Sequence, residues 1–109
     1  MADTLKVLAQ SNPSVATLTA AYTVAASTSA TISSVVIANR SGTATTFRIA
    51  VSPAGAAIAN EHYLYYDQAI DGNTTFVSTI GITMAATDVL RVYATLATLS
   101  FNVFGVEVI

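Results

Sequence analysis

The sequence predicts an all-β domain, a single antiparallel β-sandwich of about eight strands with jelly-roll or immunoglobulin-like wiring. Three observations carry this expectation. Apolar residues recur with a period of two along most of the chain. Turn-forming residues interrupt the alternation at roughly 8–12-residue intervals. No stretch shows a sustained apolar period of 3.6, which a helix would need.

Taken in order, Leu5, Val7 and Ala9 alternate with Lys6, Leu8 and Gln10 in a first strand that Asn12-Pro13-Ser14 ends. Leu18, Ala20, Tyr22 and Val24 point one way from a second strand, and Thr19, Ala21 and Thr23 point the other. Residues 31–38 form a β-branched run containing Ile32, Val35, Val36 and Ile37. Asn39-Arg40-Ser41-Gly42 closes it, with Asn first and Gly fourth, as turn geometry favours. Phe47, Ile49 and Val51 then alternate with Thr46, Arg48 and Ala50 in a half-buried strand. Pro53 and Gly55 break it, and residues 54–60 read as a loop with room for one helical turn.

Tyr63-Leu64-Tyr65-Tyr66 is an aromatic strand, followed by the turn Asp71-Gly72-Asn73 and a further strand over residues 74–80. Beyond Asp88, Leu90, Val92, Ala94 and Leu96 share a face opposite Arg91, Tyr93 and Thr95. The last strand, residues 99–108, is apolar on both sides, as expected of a strand enclosed between two layers. The inward positions of the longest strands name the expected core: Phe47, Ile49, Val51, Leu90, Val92, Phe101 and Val103.

Residues 1–109 make one domain, long enough to bury a core of its own. Apolar residues supply 53% of the chain and charged residues only 9%, against roughly 25% charged in an average soluble domain. Ala, Thr and Ser fill 46 positions, so much of the outer surface must be small and uncharged. A partner covers such a surface at little cost, because little charge has to be desolvated.

The net charge is −2, and the four basic residues Lys6, Arg40, Arg48 and Arg91 are scattered. They form no clustered patch for a phosphate backbone, and no nucleic-acid partner is expected. Cysteine is absent, which removes disulfides and thiolate chemistry. The first twenty residues lack a basic start followed by an apolar block. Residues 7–39 are uncharged, but Ser, Thr, Asn, Gln and Pro recur too often there for an apolar span of ~20 residues. The expectation is a soluble protein without a membrane partner.

Candidate chemistry is sparse. His62 is the one residue that ordinarily titrates near neutrality, and Glu61 beside it would point to the opposite side of a strand. Asp67, Asp71 and Asp88 fall at strand ends and turns, where Asp commonly accepts backbone hydrogen bonds. The spacing of Asp67 and Asp71 does not match an EF-hand loop. No G-x-S-x-G elbow and no glycine-rich phosphate loop occurs. Asn39-Arg40-Ser41 and Asn73-Thr74-Thr75 fit the N-glycosylation pattern but are better explained as turns. No enzymatic activity, cofactor or metal is expected.

The aromatic strand is the candidate site. By alternation Glu61, Tyr63, Tyr65 and Asp67 share one face, and His62, Leu64 and Tyr66 share the other. Leu64 marks the second face as the core side, which puts two tyrosines flanked by carboxylates outside. Tyrosine offers a large contact area with a polar tip, so this face reads as a protein interface. A cross-strand packing pair on a plain exposed sheet and a sugar-stacking platform are the alternatives.

The second half carries a resemblance. Ile70-Asp71-Gly72-Asn73-Thr74-Thr75-Phe76, then Gly81-Ile82-Thr83-Met84, then Ala86-Thr87-Asp88-Val89-Leu90-Arg91-Val92-Tyr93-Ala94 resembles small virion structural proteins of tailed bacteriophages. The opening Leu5-Lys6-Val7-Leu8-Ala9-Gln10 and the closing Leu99-Ser100-Phe101-Asn102-Val103-Phe104-Gly105-Val106 are similar to the same proteins. The resemblance covers most of the chain and includes no catalytic or ligand motif. It implies a capsid decoration (cement) protein, or else a neck, tail or fibre-attachment component, assembled in the host cytoplasm into the virion. The implied partners are further copies of the chain, as a homo-oligomer and most simply a trimer, and other virion proteins such as the major capsid protein. A carbohydrate- or host-receptor-binding module is the competing class on the same fold.

Overall fold

The computed structural model describes residues 2–109, and among them the chain forms nine strands. They are β1 (Asp3–Ser11), β2 (Thr19–Thr23), β3 (Ser29–Asn39), β4 (Thr45–Ser52), β5 (Tyr63–Ile70), β6 (Thr75–Ser78), β7 (Ile82–Met84), β8 (Val89–Ala94) and β9 (Leu99–Val108). Two antiparallel sheets result, ordered β1-β9-β3-β6 with β7 also on β3, and β2-β8-β4-β5. The segment between β4 and β5 holds two single 3-10 turns, Pro53–Gly55 and Asn60–His62.

β6 and β7 are two halves of one edge. β6 pairs with β3 over Val35–Ala38 and β7 pairs with it over Ala30–Ile32. Gly81, at a φ of 71° between them, lies in a region that few other residues enter readily. The single strand expected over residues 74–80 therefore stops early and a ninth strand follows. Counting the halves together leaves two sheets of four, with the first, ninth and third strands adjacent in one and the second, eighth and fourth in the other. That wiring is a jelly roll, which decides between the two sandwich types the sequence left open.

The inner faces of both sheets enclose one apolar cluster. Phe47, Ile49, Leu90, Val92, Phe101 and Val103 are all fully buried in it, as expected. The ring of Phe47 meets Phe101 across the sheets at 6.0 Å and Phe76 at 5.2 Å, both edge-to-face.

Val51 differs from expectation. It packs against the cluster but is only half-buried, whereas Ala50 and Ser52 on the opposite side of β4 are fully buried. The cause is the β4–β5 segment: its second 3-10 turn lies against β4 and its first against β8, covering what would otherwise be an outer face. Arg91 closes the same spot, its Nε donating to Ser52 Oγ at 2.9 Å.

Two turns read separately from the sequence are joined in the structure. Buried Asn39 donates from Nδ2 to the carbonyls of Thr43 (2.9 Å) and Asp71 (3.2 Å), and its Oδ1 accepts from the Ser41 amide. The Asn73 amide donates to the Ser41 carbonyl at 2.8 Å. Gly42 and Gly72 meet backbone to backbone, leaving no room for a side chain on Gly72. The β3–β4 and β5–β6 turns thus form one knot at an end of the sandwich.

Candidate functional site

β5 begins opposite β4 in regular register, with Ile70, Ala69 and Gln68 facing Thr45, Thr46 and Phe47. Two bulges follow. Ile49 next faces Tyr65, and Ala50 faces Tyr63. Each bulge adds a residue to β5 and shifts the phase of its side chains. Asp67, at a φ of 52°, sits in the first.

The expected face is consequently not formed. Tyr65 joins Ile49 on the core side, its ring 5.6 Å from Phe76 and 6.1 Å from Phe47. Its hydroxyl is 2.9 Å from Oγ of buried Ser78. Leu64 and Tyr66, assigned to the core by alternation, are instead 42% and 60% exposed. Glu61 lies outside the strand, exposed in the 3-10 turn Asn60–His62. Of the four candidate residues, only Tyr63 and Asp67 are brought together on the outer face of the four-stranded sheet.

What gathers there is an arginine-centred cluster. Arg48 Nε donates to Asp67 Oδ1 at 2.7 Å, and its guanidinium carbon lies 4.1 Å from the ring centre of Tyr66 and 4.3 Å from that of Tyr93. Tyr63 meets Tyr66 perpendicularly at 4.9 Å. The bond to Asp67 holds the guanidinium pKa above its already high value, so the cation is permanent. The rings cradle the cation electrostatically and fix its orientation. With Tyr65 turned inward, no paired Tyr63–Tyr65 platform exists. Arg48 and Tyr93 were missed as partners in the sequence; both hold outward positions on strands that pair residue for residue, and that pairing is the signal that could have found them.

His62 is engaged locally: its Nδ1 accepts the Ala59 amide at 3.0 Å. Asp88 behaves as the sequence suggested for a turn aspartate, accepting the Ala54 amide at 2.9 Å and the Ala85 amide at 2.8 Å. Among the described residues, no group of three or more His, Asp or Glu side chains converges as a metal site would require. A shallow depression of about 340 Å³ lies between β1 and β9, where Gln10 and Asn102 bond to each other at 2.8 Å.

The outer face of the five-stranded sheet has a different character. Its outward positions include Leu5 and Val7 on β1, Phe104 and Val106 on β9, Val36 on β3 and Val77 on β6. Between them stand Ser, Thr, Ala, Asn and Gln. Asp3 stands at one corner of that face, and Arg40, just past β3, lies at the opposite end of the sheet with its guanidinium donating to Asn12 Oδ1 and the Ala97 carbonyl. Lys6 and Glu107 turn the other way and pair at 3.0 Å, while Arg48, Arg91 and Asp67 belong to the opposite sheet. The strand positions on the outer side of the five-stranded sheet thus carry a single charge, Asp3. No family model matches the chain, and the comparisons with curated proteins and with solved structures found no match either.

Proposed function

We propose that this protein is a non-enzymatic structural subunit of a tailed-phage virion, a capsid decoration protein in the first place and a neck, tail or fibre-attachment component in the second. The observation that carries the reading is the broad sheet face whose charges, Asp3 and Arg40, stand only at its ends, with Leu5 85% and Val77 55% exposed upon it. A wide surface of apolar and small uncharged side chains loses little on being covered and so suits a contact with a partner. The jelly roll supports the same reading as a rigid scaffold used in capsid domains, although the fold alone also serves lectins. The resemblance to virion proteins supplies the setting.

On this reading the two sheets have separate roles. The uncharged face meets further subunits, and the Tyr63–Tyr66–Arg48 face, polar and fixed in geometry, meets other virion proteins such as the major capsid protein. Sugar binding by a carbohydrate-recognition module gains less support, since one face of Tyr66 is taken up by Arg48.

Quantitative mass spectrometry of purified particles, produced by a host carrying the gene, tests the reading. The chain should appear in many copies per particle, and particles assembled without it should release their DNA at a lower temperature. Recovery of the chain only from the soluble fraction, with none on particles, would refute the proposal.

A further inference from the structure

We infer that the outer face of the five-stranded sheet is a self-docking surface, on which a second copy of this chain packs face to face about a two-fold axis. The inference deepens the subunit reading above by naming the partner, but it stands on the sheet itself and not on the virion setting.

The argument begins with charge. A partner presenting charged groups to this face would have to desolvate them without finding a counterpart, which costs several kcal/mol per unpaired group in general. The matching surface is therefore another uncharged one, and the chain supplies one in its own copy. The opposite sheet is less suited, since Arg48, Arg91 and Asp67 stand on its outer side.

Shape agrees. Two copies of one sheet have the same twist, and sheets of like twist pack face to face with their strands about 30° apart. Leu5 and Val7 flank Val106 and Phe104 in register across β1 and β9, and Val36 and Val77 face each other across β3 and β6. An apolar side chain thus rises from each of four neighbouring strands.

Size agrees as well. Four strands spaced ~4.8 Å apart, with β9 ten residues long at ~3.3 Å per residue, give a footprint of ~600 Å². Two such faces bury ~1,200 Å², the lower bound of a specific, stable interface. A face that meets its own copy is used up on both sides, so the assembly closes at two. The expected stoichiometry is a dimer, in place of the trimer that the resemblance implied.

Sedimentation velocity on the purified full chain, from about 1 to 100 µM, tests this. The wild type should sediment as a dimer over the upper part of that range. The double variant Leu5→Lys/Val77→Lys should weaken dimerisation at least a hundredfold while keeping the wild-type circular dichroism and melting temperature. Tyr66→Ala, on the opposite sheet, should dimerise as the wild type does. A wild type that remains monomeric, forms a trimer, or yields a dimer untouched by the lysine pair overturns the inference. None of those results bears on particle composition, so the subunit reading is judged separately by mass spectrometry.

Discussion

The Tyr22 hydroxyl donates a 2.6 Å hydrogen bond to Oε2 of Glu107, tying β2 of one sheet to β9 of the other. Lys6 Nζ holds the second carboxylate oxygen at 3.0 Å. The Tyr22 bond, and then Lys6, lower the Glu107 pKa below its ordinary 4.5, while burial, followed by the bond to Glu107, raises the Tyr22 hydroxyl well above 10.0. Folding therefore favours an ionised Glu107 and a neutral Tyr22.

The pH dependence of stability follows from those directions. The Glu107 contribution is present above pH 4.5 and lost as pH falls through its lowered folded value. The Tyr22 contribution is complete below pH 10.0 and lost as pH rises beyond it. Melting temperature should be level between these limits and fall on both sides. Tyr22→Phe should lower the plateau by about 1.5 kcal/mol, the size expected of a bond to a charged group, and flatten the alkaline arm. An unchanged alkaline arm in Tyr22→Phe would assign that titration to another group.

Tyr65 and Tyr66 should respond in opposite ways. Tyr65→Phe leaves the hydroxyl of buried Ser78 without its partner and should cost about 1–3 kcal/mol. Tyr66→Ala removes an exposed ring and should cost under about 1 kcal/mol, its cation contact being a surface one. If the Arg48 face is the one that meets other virion proteins, Tyr66→Ala should weaken particle binding by about 2 kcal/mol, as truncation of interface aromatics often does. Chemical denaturation and particle co-sedimentation separate the two effects; equal destabilisation by both variants would contradict the bulged register.

Phe101 is fully buried and meets Phe47 edge-to-face at 6.0 Å. Phe101→Ala should destabilise by about 3–5 kcal/mol through lost burial and the cavity it leaves. Urea titration measures this directly, and a loss below about 1 kcal/mol would mean that the two sheets do not pack through this ring.

Gly105 lies where β9 passes closest to β3. A Cβ there would collide with the Thr31 carbonyl oxygen and press on the Ile32 backbone and the Leu8 side chain. Gly105→Ala should therefore disrupt the pairing of β9 with β3 and cost more than the ~0.5–1 kcal/mol typical of glycine exchanges. A variant with wild-type melting behaviour would show that the strands can separate there without penalty.

The sheets were legible in the sequence wherever the alternation runs unbroken. Phe47, Ile49, Leu90, Val92, Phe101 and Val103 are inward and fully buried. Reading failed at the bulges, because one falls at Tyr66-Asp67 and the other at Leu64, and no Gly or Pro marks either interruption of the alternation. Leu64 misled for that reason: its apolarity marked a core face, but the bulge beside it leaves it at the rim. The burial of Ala50 was missed for a different one, since alternation says which side a residue faces and nothing about whether a loop covers that side. The scarcity of charge on the outer side of the five-stranded sheet was equally hidden, because it depends on which strands become neighbours. The scarcity of charge in the chain as a whole was plain; its placement required the topology.

β9 occupies the middle of its sheet, hydrogen-bonded to β1 on one side and β3 on the other. During synthesis β1 and β3 emerge early and have no contact with each other that the final sheet preserves. β3 can pair with β6 and β7 beforehand, but β1 gains its strand neighbour only when β9 leaves the ribosome and slots between the two. Pairing over such long stretches of sequence is slow because the loops must close before any contact rewards them. The nascent chain thus passes through a window in which β1 lacks its strand neighbour, and the unpaired strand edges of several copies can then find one another.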